Sequence, residues 1–124
     1  MEDLNLLSIR GIYYEHKKHN KLIIVGMKIQ KPTKETEVLK IMEDGFYYRI
    51  GKANQKKVTY EEIEEAIKEI NKNGVLTRKW YKQRFPKISK DNPCNFTTIG
   101  GLLVKIQLAE YEMGKYLYKN NNND

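Results

Sequence analysis

The hydrophobic period of this chain changes at Thr59, and that switch limits the folds open to it. Downstream, Tyr60, Ile63, Ala66, Ile67 and Ile70 recur at helical spacing, while Glu61, Glu62, Glu64, Glu65 and Glu69 fall on the opposite side. Thr59 and Glu62 have the spacing of a capping box, in which each side chain satisfies a backbone N–H at the helix start. Val58 and Ile63 stand at the flanking staple positions. Asn73-Gly74 ends the helix, and Val75 is placed to touch Ile70 in a Schellman arrangement.

Upstream of Thr59 the pattern is strand-like. Residues 22–29 are rich in Ile and Val, and residues 37–42 carry Val38, Leu39, Ile41 and Met42. Asp44-Gly45 separates that run from residues 46–50, a dipeptide that favours a two-residue hairpin. An earlier strand over residues 6–14 is expected to pair with 22–29 across the polar turn 15–21, and Pro32 and Thr33 mark a loop. Residues 1–58 therefore read as an antiparallel β-meander.

Two further helices follow the first. Thr77 caps a short one that must end by Pro86, with Trp80, Tyr81 and Phe85 inward and Arg78, Lys79, Lys82 and Gln83 outward. After a loop over residues 87–94, Asn95 caps a third helix running to about Gln107. Its core stripe is Phe96, Ile99, Leu102, Leu103 and Ile106, which leaves Thr97, Thr98, Gly101 and Lys105 outward. Gly100-Gly101 within it costs about 2 kcal/mol relative to two alanines, so close approach of another backbone is expected there. Residues 109–112 and 115–118 form a hairpin around Met113-Gly114, and residues 120–124 are a polar tail expected to be disordered.

At 124 residues the two halves are each too small to stand alone, because a sixty-residue unit buries only about 60% of its unfolded surface. One compact α+β domain is expected: a small N-terminal antiparallel sheet packed on a C-terminal three-helix unit over residues 59–119. No stretch approaches the roughly 20 apolar residues of a membrane span. Residues 1–10 lack the order of a signal peptide, and Cys94 is the only cysteine, so the expectation is a reducing cytoplasm and no internal disulfide.

Charge is the main pointer to a partner. Residues 71–109 hold eight cationic side chains (Lys72, Arg78, Lys79, Lys82, Arg84, Lys87, Lys90 and Lys105) against one acid, Asp91. That excess equals the net charge of the whole chain, +7. A concentrated basic surface is the electrostatic footprint of a polyanion binder. Any one of these lysines also fits a solvated lysine-rich face, but the acid-depleted run as a whole favours the polyanion reading.

Three helices followed by a short hairpin resemble the winged helix-turn-helix superfamily, over about half the chain and by element order. The resemblance implies a non-catalytic nucleic-acid-binding protein acting on double-stranded DNA, as a regulator or as an accessory subunit of a DNA-processing machine in a prokaryotic or viral cytoplasm. It places the third helix in the major groove, with Thr97, Thr98 and Lys105 near base edges or phosphates. Arg78, Lys79 and Lys82 would then cross the backbone, and residues 113–115, including Lys115, would form the wing. The third helix contains neither arginine nor an internal asparagine for bidentate base reading, and the connection 86–93 is longer than a tight turn. A protein-docking module using the same surface is the alternative, and the N-terminal sheet is available for a homodimer or a protein partner.

Other chemistry is poorly supported. Gly11-Ile12-Tyr13 and Ile24-Val25-Gly26 are spaced like the opening of a GIY-YIG nuclease, but the second tyrosine is missing and no arginine follows Gly26 until Arg49. Without that cation nothing nearby would stabilise developing phosphate charge. His16 and His19 sit among Lys17, Lys18 and Lys21, which oppose a dication, so no metal is expected. Glu43 and Asp44 belong to a turn. Cys94 reads as structural, and no P-loop or dinucleotide fingerprint implies a cofactor.

Overall fold

The computed structural model describes residues 23–119. The strand expected over residues 6–14, the turn over 15–21, Gly11-Ile12-Tyr13, His16, His19 and the tail over 120–124 lie outside the described residues. The N-terminal part is a four-stranded antiparallel sheet in the order β1 (Lys28–Gln30), β2 (Glu35–Ile41), β3 (Gly45–Ile50), β4 (Asn54–Thr59). The C-terminal part comprises α1 (Tyr60–Asn73), α2 (Arg78–Arg84), α3 (Pro86–Asp91) and α4 (Asn95–Lys105). Beside them lies a three-stranded sheet built from β5 (Val75–Leu76), β6 (Ala109–Glu112) and β7 (Lys115–Tyr118), with β7 in the middle.

Alternation decides which face of the first sheet is inside. Thr36 and Val38 on β2, Phe46 and Tyr48 on β3, and Val58 on β4 are buried in period two. The apolar members of this set form one core with Ile63, Ile67 and Ile70 of α1 and Ile99, Leu102 and Leu103 of α4. The chain is thus α+β as expected, and its halves share one interior.

The structure departs from the expected strands in instructive ways. Residues 22–29 were expected to be one strand, yet Ile24 to Met27 form a turn closed by Met27 N–H on the Ile24 carbonyl, with Gly26 at φ 92°. Only residues 28–30 extend, so Ile24-Val25-Gly26 is not a strand motif. β4 has no local strand signal: Asn54, Gln55, Lys56 and Lys57 are polar and leave Val58 as the apolar anchor. Pairing with β3 from Ile50↔Asn54 to Gly45↔Thr59 makes it a strand. Gly45 acts by proximity rather than as a turn residue. It lies within β3, where a Cβ would run into the Val58 carbonyl.

Helix α1 begins at the expected cap. Thr59 accepts from the Glu62 amide at 3.2 Å, and the Glu62 carboxylate returns the contact to the Thr59 amide at 2.9 Å. Gly74, left-handed at φ 79°, closes the other end through its N–H on the Ile70 carbonyl. Val75 enters β5 and pairs with Leu117, so the end is a single-bond left-handed cap built into the second sheet. Pro86 starts α3 where a loop was expected, because proline fits the first turn of a helix.

Helix α4 differs most. Asn95 is its first residue and does not cap it; its side chain turns inward instead. Gly101 is the expected site of close backbone approach, whereas Gly100 makes room for a side chain. A Cβ on Gly101 would meet the Gln30 carbonyl of β1, and one on Gly100 would meet the Tyr116 ring of β7. The helix is therefore clasped between the two sheets. Removing the cap should expose how much α1 depends on it: Thr59→Ala is expected to lower stability by about 1 kcal/mol in denaturant titration. An unchanged midpoint would contradict a structural role for the box.

Candidate functional site

A buried polar cluster fixes the elements that surround the site. Glu62 is 1% exposed and accepts hydrogen bonds from the Thr59 amide and hydroxyl, the Tyr81 hydroxyl and the Asn95 side-chain amide. Asn95 also donates to the Lys57 carbonyl at 2.9 Å and accepts from the Tyr48 hydroxyl at 2.6 Å. Burial raises the pKa of Tyr81 and of Tyr48, and for Tyr81 the adjacent Glu62 adds to the rise. Both phenols keep their protons and serve as donors at neutral pH. Sheet, α1, α2 and α4 are thereby joined at one point.

Against this frame, an open cleft of about 650 Å³ lies between the β1–β2 turn, α2, the start of α4 and the β6–β7 hairpin. Lys31 and Lys34 border it from the turn, and Arg78 and Lys82 border it from α2. Phe96 and Tyr116 lie buried behind the lining, and Tyr111 supplies the exposed aromatic surface. No acidic side chain among the described residues lines it. Elsewhere acids meet cations: Glu65 holds Arg84 at 3.2 Å and Lys68 at 3.3 Å, Glu37 lies near Lys28 and Arg49, and Asp44 holds Lys57 at 2.7 Å. The Lys57 bond keeps the Asp44 carboxyl below the usual carboxylate range. The cleft is where cations gather without a carboxylate among the described residues.

The residues expected to contact nucleic acid divide into groups. Arg78, Lys82 and Thr97 come together at the cleft. Arg78 is not a freely projecting cation, since its guanidinium donates to the Pro93 carbonyl at 2.9 Å and sits 4.9 Å over the Phe96 ring. Lys79 and Lys115 are exposed on α2 and β7 but do not line the cleft. Lys105 is exposed at the far end of α4, beside a separate recess of about 180 Å³ with Lys28, Gln30 and Glu35.

Thr98 corrects the expected outward face. It is fully buried, and its hydroxyl donates to the Cys94 carbonyl at 3.2 Å; Gly101 is buried as well. Helical spacing suggested an apolar stripe, but α4 is covered on nearly all sides by the two sheets and α1. Only Val104 and Lys105 are exposed on it, so a helix lying in a major groove with Thr98 at the bases does not match this geometry.

Lys31 and Lys34 escape a reading of the sequence. They bracket Pro32-Thr33, a turn with no local mark of function, and only the tertiary fold brings that turn opposite α2. Tyr111 likewise reads only as a hairpin residue. Comparison with protein-family models, curated proteins and solved structures finds no match to this chain. Among the described residues no helix is long and apolar enough to cross a membrane.

The two α2 cations should respond differently to removal. Arg78→Ala is expected to cost about 1 kcal/mol of stability, from its hydrogen bond and its contact with the Phe96 ring. Lys82→Ala should stay within about 0.5 kcal/mol, as exposed substitutions do. Equal losses in thermal unfolding would contradict their assigned environments.

Proposed function

We propose that the protein binds nucleic acid without catalysing a reaction, holding double-stranded DNA through phosphate contacts at the cleft. The observation that carries this reading is the convergence of Lys31, Lys34, Arg78 and Lys82, from two separate segments, on a concavity that no described acid lines. Such a surface attracts a polyanion at long range and neutralises phosphates on contact. The hairpin turn at Met113-Gly114 borders the same cleft and serves as a wing, which favours the winged helix-turn-helix resemblance in that respect. Contact is through the backbone of the nucleic acid, because the helix that would read bases is enclosed. Backbone contacts position a protein but carry little sequence information. The natural role is that of an accessory or architectural component in a cytoplasmic DNA-processing system.

A protein partner is the second reading. It is favoured by Met113, which is 89% exposed, together with exposed Tyr111 and Tyr118 on the same hairpin.

Salt dependence separates the two. With four phosphates neutralised, duplex affinity should fall with salt at a log–log slope of about −3 to −4. Lys82→Ala should weaken binding to all sequences alike and flatten the slope by about one unit, while Lys105→Ala should leave the slope unchanged. Duplex binding that is absent at about 50 mM salt, where phosphate contacts are strongest, would contradict the proposal and favour the protein-docking reading.

A further inference from the structure

The cleft has features that a groove for duplex phosphates does not require. Lys31 is 6% exposed, and its ammonium is 3.4 Å from the Cys94 carbonyl and 5.2 Å above the Tyr48 ring. No carboxylate among the described residues pairs with it, and Lys34 and Arg78 repel it. Burial lowers its pKa. A cation so placed is incompletely satisfied, and an anion would complete it. Tyr116 borders the same cleft, is 1% exposed, and its hydroxyl has no hydrogen-bond partner among the described residues.

The remaining lining is mostly apolar. Tyr111 presents an exposed ring beside Tyr116, with centroids 5.3 Å apart, and its hydroxyl is held by the Gly114 amide at 3.0 Å. Pro32 and Pro93 add apolar walls. Cations at the rim with an exposed aromatic face is the pairing that single-stranded sites use, charge for the backbone and rings for the bases.

We infer that the cleft receives an unpaired nucleotide of a nucleic-acid strand, its base on the Tyr111 ring and the phosphates flanking it at Lys31, Lys34 and Lys82. This rests on the nucleic-acid reading of the same cleft and adds, beside the duplex phosphate contacts, a place for a nucleotide that has left its pair. An end, gap or single-stranded segment would enter where a paired base could not.

Cys94 lines the cleft and is the only cysteine of the chain, so its modification rate by a thiol reagent reports occupancy. Full-length protein is tested with an oligothymidine of about ten nucleotides, a blunt duplex and thymidine monophosphate. Oligothymidine should slow modification of Cys94. Tyr111→Ala should raise the half-protecting concentration about tenfold, whereas Tyr111→Phe, which keeps the ring, should stay near the parent. Duplex binding should change little in either variant. If the duplex binds but oligothymidine neither binds nor protects Cys94, the nucleotide site is overturned and the phosphate reading stands. If neither binds, both fall. Protection by the monophosphate as strong as that by oligothymidine would overturn a strand as the source of the nucleotide. Circular dichroism of both variants should match the parent, which keeps a lost effect from being a lost fold.

Discussion

Glu62 is the point on which both halves of the structure depend. A carboxylate sealed from water is costly unless its oxygens are filled, and here they are filled by Thr59, Tyr81 and Asn95. The capping box that starts α1 is thus also the polar centre of the core. Because Asn95 simultaneously grips the Lys57 carbonyl and the Tyr48 hydroxyl, the same group ties β3 and β4 to α4. Apolar burial can hold these elements together in several arrangements. A satisfied buried network accepts very few.

That restriction gives the cleft its shape. Tyr81 locks α2 with Arg78 and Lys82 on the side facing the β1–β2 turn, because its hydroxyl is held by Glu62 of α1 and its ring packs on Phe96 of α4. Asn95 sets the start of α4, which places Phe96 beneath Arg78. Gly101 lets β1 come against α4, and the residue after β1, Lys31, reaches the Cys94 carbonyl at the helix start. The basic wall and the aromatic surface are consequences of how the core is joined.

Much of this is legible in the sequence. The box at Thr59, the cap at Gly74, the helix after Thr77 and the Met113-Gly114 hairpin follow from local chemistry, and the structure contains all four. What local chemistry could not give was partnership. Asn54 to Lys57 becomes a strand only because β3 is beside it, and Val75–Leu76 becomes one only because β7 is. Thr98 is a polar residue at an outward-looking helical position, yet it is fully buried. Asn95 has the chemistry of a cap and serves the network instead. The cleft was half visible: Arg78, Lys82 and Thr97 could be chosen from charge and period, while Lys31 and Lys34 gain their meaning only from the turn that carries them across.

Where nucleic acid meets this surface is tested most directly by titrating isotope-labelled protein with a short duplex and following the amide resonances. Shifts should concentrate at Lys31, Lys34, Arg78, Lys82, Thr97 and Gly114, with Lys28 and Lys105 unmoved. Shifts centred on Lys105 and the exposed end of α4, with the cleft residues silent, would contradict the assignment of the cleft as the binding surface.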